Sequence, residues 1–206
     1  MDLLRLASDG SRAEKAKEKA ATIQALKPAV PREEAVERFR GCGIRSLLRR
    51  RLGAGRLHSL ADAYVPFSVY RVEIVNGAKR ETHCFALDAV KGTLDPYAFP
   101  RVPEPREMIP VETRNRAEPL LEPFWARELL TEKVRRMLFQ RGFFRIRNLT
   151  IRAEPISLGL HIPYWIGFYD AGGSVRLRVL DAVRGTFEGG KAQAFFHDWL
   201  TGEEVP

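Results

Sequence analysis

The chain has few of the residues and patterns that identify metal sites. It has 206 residues but only two cysteines, Cys42 and Cys84, and they form no Cys-x-x-Cys pair. Their count and spacing provide neither a disulfide framework nor a zinc site. The four histidines show no His-x-x-x-His or His-Glu-x-x-His spacing. We therefore expect a protein without a metal or cofactor, whose histidines are packed or exposed as ordinary side chains.

Familiar catalytic signatures are also missing. No Gly-x-Gly-x-x-Gly sequence follows a strand, no phosphate-loop lysine is present, and there is no Gly-x-Ser-x-Gly elbow. A triad assembled from distant residues stays open, because triads are defined by position in space. We expect a non-enzymatic protein, with an enzyme whose site lies between two halves of the chain as an alternative.

Long apolar runs are absent. No stretch approaches the roughly 20 residues of a membrane span. The apolar stretch within residues 1–10 is too short and too interrupted for a secretory signal. We therefore expect a cytoplasmic protein of one or two compact domains.

What the chain does have is an excess of positive charge. Its formal net charge is +8, and arginine carries most of it. Such a charge attracts polyanions over long range but says nothing about the fold. Because of this charge, nucleic acid remains an alternative partner.

One phrase occurs twice and predicts the architecture. The sequence Leu-Asp-Ala-Val-Lys-Gly-Thr-Leu at 87–94 returns as Leu-Asp-Ala-Val-Arg-Gly-Thr-Phe at 180–187. Upstream, Tyr-Val-Pro-Phe at 64–67 returns as His-Ile-Pro-Tyr at 161–164. Matches in the same order indicate a duplicated unit. We therefore predict an α+β protein of two tandem pseudo-symmetric repeats, each an amphipathic helix packed on an antiparallel meander.

The boundaries follow from composition. Residues 1–30 read as a helical or flexible arm, because 11–28 are rich in helix formers with few apolar anchors. Residues 31–100 form the first repeat. Residues 101–122 are a proline-rich connection without regular structure, because proline at this density interrupts helices and strands. Residues 123–206 form the second repeat, with a short helix or capping segment near the end.

The repeated phrase has the residues of a tight turn. Asp88 and Asp181 are placed to accept hydrogen bonds from the turn amides, while Gly92 and Gly185 supply a left-handed conformation. A symmetric catalytic or metal pair of aspartates is the functional alternative, but one carboxylate per turn lacks convergent partners. Separately, Asn76-Gly77 predicts a two-residue hairpin turn.

The pattern of strand, Asp-Ala-x-x-Gly turn and strand after an amphipathic helix resembles PepSY-type modules and related uncharacterised bacterial domains. The Tyr-Val-Pro-Phe and His-Ile-Pro-Tyr-Trp strand openings are similar to strands in such proteins. The resemblance implies a bacterial α+β domain, and members of that family are typically exported and associated with peptidase inhibition.

A basic sheet face is the candidate binding site. Arg145 and Arg147 share one face of a predicted strand, and Arg176 and Arg178 share one face of another, while Arg184 could extend the surface. Guanidinium groups suit carboxylates and phosphates. We expect this face to recognise a protein or peptide partner, and nucleic-acid binding is the first alternative. The non-functional interpretation is a solvated sheet face without a partner.

Overall fold

Residues 20–41, 56–140, 148–171 and 174–202 are described by the structure, a computed structural model of the chain. They confirm the α+β class, because three helices pack on a mostly antiparallel sheet within these residues. None of the helices in the described ranges is long and apolar enough to cross a membrane.

The helices are α1 (Arg32–Arg40), α2 (Pro123–Gln140) and α3 (Gly190–Thr201), with a short 3-10 helix at Pro105–Glu107. The strands are β1 (Ala21–Leu26), β2 (Arg56–Asn76), β3 (Lys79–Asp88), β4 (Tyr97–Phe99), β5 (Met108–Thr113), β6 (Thr150–Ala171) and β7 (Ser174–Asp181). Within the described residues they form one sheet in the order β4-β3-β2-β6-β1-β5, with β7 also paired to β6.

Two long strands form the centre of the sheet. Strands β2 and β6 have 21 and 22 residues and pair antiparallel from Arg56–Asp170 to Val75–Thr150. The register shifts twice, between Leu57 and Ser59 and between Phe67 and Val69. Bulges of this kind bend and twist a pair of strands, which lets strands this long curve around the core.

The first hairpin differs in detail from its prediction. Asn76 pairs with Lys79 and therefore closes the β2–β3 ladder. The two turn residues are Gly77 and Ala78, and of these Gly77 alone has positive φ, at 62°. Glycine at the first of two turn positions matches a type II′ hairpin. The hairpin is therefore where the Asn-Gly sequence predicted it, but its two turn residues are Gly77 and Ala78 and not Asn76 and Gly77.

Helix α2 buries one stripe on the sheet. Its buried residues follow the spacing of one helix face: Ala126, Leu130, Val134 and Leu138. Their buried partners lie on β2 and β3: Tyr70, Val72, Ile74, Phe85 and Leu87. Partly buried residues of β6, among them Ile151, complete this cluster.

Helix α1 packs on the first part of β2, through Leu57 and Leu60, and on the second hairpin. Phe39 is buried with Tyr169 of β6 and Leu180 of β7. The Tyr169 hydroxyl donates to the Phe39 carbonyl at 2.7 Å, and the Trp165 indole donates to the Val30 carbonyl at 2.9 Å. This differs from the expected arrangement, in which each helix packs on the meander of its own repeat, because α1 also contacts β6 and β7 and α2 packs on β2 and β3.

The largest cluster of buried residues lies on the side of the sheet that helix α3 covers. Phe195 and Phe196 of α3 are buried, and the Phe196 ring lies 5.2 Å from that of Tyr164. Val65, Ile162 and other residues of the two long strands join this cluster. The predicted C-terminal helix is therefore part of the core.

The prediction of a helical or flexible arm through residue 30 is wrong for 21–26, which form β1. This strand pairs antiparallel with β5 and parallel with β6 at Ala25–His161. Ile23, Ala25 and Leu26 are buried, so tertiary packing outweighs the helix-forming composition around them. Residues 1–19 of the predicted arm lie outside the described residues.

The expectation of no regular structure in the proline-rich connection is also wrong in part. It contains the 3-10 helix and strand β5, and Pro110 lies inside that strand, opposite Gln24. Strand β5 is at the end of the sheet order. Proline is tolerated in an edge strand because its missing N–H can face away from the ladder.

Candidate functional site

The first aspartate turn is fully satisfied by backbone donors. The Asp88 side chain is buried, and its Oδ1 accepts from the amides of Lys91 at 3.0 Å and Gly92 at 2.8 Å. Its Oδ2 accepts from the amide of Leu94 at 2.8 Å. Gly92 has φ 65°, the left-handed conformation that the turn requires. The geometry makes Asp88 a structural residue.

The second turn is similar but leaves one oxygen without a donor. Oδ1 of the buried Asp181 accepts from the amides of Val183 at 2.8 Å and Arg184 at 2.7 Å, and Gly185 has φ 69°. Oδ2 has no hydrogen-bond partner in the described part of the chain, and the nearest cation atom, Nε of Arg184, is 3.9 Å away. An unpaired buried acceptor costs free energy.

Polar side chains surround the buried carboxyl of Asp181. The Arg184 guanidinium stacks 3.4 Å above the Tyr97 ring, whose hydroxyl lies 3.5 Å from Asp181 Oδ1. Burial raises the pKa of Asp181 above its usual range, and the hydrogen bonds from Arg184 and Val183 oppose that rise. Burial also raises the pKa of Glu188, and the charge of Asp181 adds to that effect.

Nothing in the described ranges gathers three or more His, Cys, Asp or Glu side chains into a possible metal site. His161 is half buried, with its Nδ1 3.3 Å from the Gln24 carbonyl, and burial lowers the pKa of its ring. Cys84 is buried among core residues, which raises the pKa of its thiol. We therefore interpret His161 and Cys84 as structural residues.

The structure brings together only some of the predicted arginines. Arg176 and Arg178 lie on the same face of β7, since they pair with Tyr169 and Gly167 of β6. Arg176 is exposed, and the Arg178 guanidinium stacks 3.8 Å above the Phe187 ring. Arg145 and Arg147 lie outside the described residues.

Arg184 does not extend this face. Its guanidinium stacks on Tyr97, which packs in the cluster beneath α3, whereas Arg178 lies on the face that carries Leu180 and α1. Side chains of alternate residues point to opposite faces of a strand. The predicted five-arginine surface therefore reduces to Arg176 and Arg178 in the described structure.

The structure shows an exposed aromatic patch that the sequence analysis did not predict. Phe124 and Trp125, which we call the aromatic patch, are 56% and 63% exposed, and Leu120 before the helix is 70% exposed. The Phe124 and Trp125 rings pack edge to face at 5.2 Å, and the Arg127 guanidinium lies 5.6 Å from the Phe124 ring. Phe124 and Trp125 precede the buried stripe that begins at Ala126, so their position off the apolar face of α2 was the available signal.

Backbone hydrogen bonds join the segment before the aromatic patch to the first aspartate turn. The amides of Leu120 and Leu121 both donate to the Ala89 carbonyl, at 2.9 and 2.8 Å. Ala89 belongs to the first aspartate turn, and its own amide donates to the Pro66 carbonyl at 2.8 Å. The turn thus positions the start of α2 and the side chains exposed there.

Comparisons with protein-family models, with curated proteins and with solved structures find no match for this chain.

Proposed function

We propose that this chain is a non-enzymatic binding protein that recognises a protein partner through the aromatic patch. The observation that carries the proposal is the exposure of Phe124 and Trp125, side by side, on a helix anchored to the sheet. Tryptophan and other large aromatic residues dominate the binding energy of protein interfaces. Exposed apolar groups rimmed by polar residues mark interaction sites.

The charges around the patch favour a protein over a membrane surface. Glu122 and Glu128 flank the aromatic residues along the chain, and both are exposed. Anionic lipid headgroups repel carboxylates and attract clusters of lysine and arginine. A protein pocket that receives Trp125 and offers polar groups to Arg127 and Glu128 suits this mixed rim better.

The experiment places a photo-crosslinking amino acid at position 125 and, as control, at position 200. Leu200 is also an exposed apolar residue, 46% accessible, but it lies on α3. The crosslinked protein is identified and purified, and its affinity for the full chain is measured by calorimetry. We expect Trp125→Ser to weaken binding at least about tenfold, as for an interface hot spot, and Leu200→Ser to leave it unchanged.

Two results would contradict the proposal. The first is a purified partner whose affinity is the same for the parent chain and for Trp125→Ser. The second is turnover of a small substrate that one point substitution abolishes, which would make the protein an enzyme.

We also propose that the scaffold is a duplicated unit. Three correspondences support this. The Ala89 and Ala182 amides donate to the carbonyls of Pro66 and Pro163, at 2.8 and 3.1 Å. The Ala182 carbonyl accepts two successive amides, those of Ala29 and Val30, as Ala89 accepts those of Leu120 and Leu121. Each pair of amides is then followed by a helix, α1 or α2.

The helices correspond residue by residue as well. Ala35 and Phe39 are the buried pair of α1, and Ala126 and Leu130 occupy the same positions after the two amides in α2. A crystal structure tests the proposal. We expect residues 21–94 and 108–187 to superpose, with Asp88 on Asp181. Halves without a common chain trace would overturn it.

A further inference from the structure

We infer that the outer edge of β7 binds an extended acidic peptide, which adds one strand to the sheet. The site is separate from the aromatic patch and rests on different residues. Peptides bind sheet edges in this way through backbone hydrogen bonds, and alternate side chains supply specificity.

The backbone groups of this edge point away from the sheet. On one side β7 pairs with β6 in constant register. On the other side the Val179 carbonyl accepts from the Glu188 amide at 2.9 Å, and the Asp181 amide donates to the Thr186 carbonyl at 3.0 Å. Because outward groups recur every second residue, those of Val175 and Leu177 also point outward. They have no backbone partner among the described residues.

The chain itself shows that such an edge can accept a strand. The corresponding outer edge of β3 pairs with β4, through Cys84–Phe99, Phe85–Ala98 and Ala86–Tyr97. Along β7, the chain begins the same antiparallel path with the bridge between Leu180 and Phe187. It then departs at Gly189 and starts α3. Among the described residues, no strand lies beyond Glu188 beside Leu177 and Val175.

Two other strands at the margins of the sheet are less suited to a guest strand. Strand β5 carries Pro110, which interrupts the row of donors, and β4 has only three residues. Short edges and prolines are the usual protection against added strands. The outer edge of β7 carries no proline, and its unpaired part runs from Ser174 to Arg178.

Side chains on the two faces of β7 indicate the peptide's chemistry. Arg176 and Arg178 lie on one face, and the Phe187 ring holds the guanidinium of Arg178. Val175, 56% exposed, and the partly buried Leu177 lie on the other. An added strand that alternates carboxylate and apolar side chains would pair with both faces, because directly opposite side chains interact across strands. A nucleic acid would use the arginines but leave the backbone groups unpaired, so a peptide fits better.

The test uses the full chain and a fluorescein-labelled octapeptide of alternating glutamate and valine. Three comparison ligands are used. The same peptide N-methylated at alternate residues tests the backbone hydrogen bonds, a lysine–valine octapeptide tests the charge, and an oligothymidylate tests nucleic-acid binding. In the protein, Val175→Pro removes an outward N–H without removing a bond to β6, and Val175→Ala is its matched control. Arg176→Glu reverses one charge of the site, and Arg136→Glu reverses an exposed charge on α2.

We expect the acidic octapeptide to bind, and both Val175→Pro and Arg176→Glu to weaken it about tenfold or more. Val175→Ala and Arg136→Glu should change the affinity by less than about threefold. The N-methylated and lysine peptides should bind at least about tenfold more weakly. Amide exchange at Val175 and Leu177 should slow when the acidic peptide is added. The N-methylated peptide keeps the test decisive if Val175→Pro does not fold.

Several outcomes would overturn the inference. Equal binding of the N-methylated peptide would exclude strand addition, and no binding at millimolar peptide would exclude the site. Oligothymidylate binding that Arg176→Glu abolishes and Val175→Pro leaves intact would assign the arginines to nucleic acid. Slow amide exchange at Val175 and Leu177 in the free protein would mean that the chain covers this edge itself.

Discussion

Gly167 lies directly against the ring of Phe39, so closely that helix α1 can dock only because this residue of β6 has no side chain. A Cβ atom on Gly167 would be 2.2 Å from Cδ1 and 2.5 Å from Cε1 of Phe39. Contacts this short cannot persist, and Phe39 is almost fully buried, so its ring has little room to move. The contact joins a helix in the first quarter of the chain to a strand in its last third.

Gly167→Ala should therefore destabilise the protein. We expect the free energy of unfolding to fall by about 1–3 kcal/mol, the usual cost of overpacking a core. The matched control is Gly159→Ala in the same strand, where a Cβ would meet nothing within 4 Å. Urea denaturation followed by circular dichroism measures both.

The cause can be checked with a second substitution. Phe39→Leu removes part of the ring that the new Cβ would strike, so it should cost less in the Gly167→Ala background than in the parent chain. Additive effects of the two substitutions would contradict the steric explanation.

The two aspartates should respond differently to replacement by asparagine. Asp88 uses both oxygens as acceptors, so an asparagine amide would face a backbone N–H, and we expect a loss of about 1–3 kcal/mol. Asp181 uses only Oδ1 for its backbone donors, so its amide can replace the unpaired Oδ2. Urea denaturation of Asp88→Asn and Asp181→Asn at neutral pH should rank the first as the less stable. The opposite ranking would contradict the assignment of donors.

The pH dependence of stability gives a second test of Asp181. Because burial raises the pKa of its carboxyl, the folded protein binds this proton more tightly than the unfolded chain does. The stabilisation is present below the unfolded pKa of about 4 and is lost as pH rises through the folded pKa. The parent chain should therefore lose stability relative to Asp181→Asn as pH rises from about 4. A gap between the two unfolding free energies that does not change with pH would argue against a raised pKa.

Trp125 should matter little for stability. It is 63% exposed, so we expect Trp125→Ser to change the free energy of unfolding by less than about 0.5 kcal/mol. Leu130→Ala, at a fully buried position of the same helix, should cost about 2–5 kcal/mol. Thermal and urea denaturation compare the two. A cost above about 2 kcal/mol for Trp125→Ser would mean that its ring packs within the fold and is not free for a partner.

Retention on a heparin column should follow overall charge. Arg176→Glu with Arg178→Glu, and Arg135→Glu with Arg136→Glu on α2, lower the net charge equally. If β7 has no nucleic-acid site, both pairs should elute at a similar salt concentration, below that of the parent chain. A much larger shift for the β7 pair would support nucleic-acid recognition there.

Local signals in the sequence predicted local structure well. Pro123 begins helix α2 as expected, and the segment near 192–200 is helical as predicted. Gly92 and Gly185 adopt the left-handed conformation that their turns require. These features depend on a few neighbouring residues, whose backbone preferences act whatever the rest of the chain does.

Partners that are distant in the chain were harder to predict. The segment 21–26 has a helix-forming neighbourhood, yet it becomes β1 because β5 and β6 lie on either side of it. The separation of Arg184 from Arg178 depends on where Tyr97 packs, which no spacing in the sequence reveals. The exposure of Trp125 likewise depends on which face of α2 meets the sheet.

By itself the sequence determined the class of the fold, the turns at Asp88 and Asp181, and the positions along the chain at which the described helices lie. The tertiary structure alone decided which strands each helix covers, which arginines share a face, and which strands pair with each other. The physical reason is range: turn and helix preferences act over a few residues, whereas burial and strand pairing join residues more than a hundred positions apart, such as Phe39 and Tyr169.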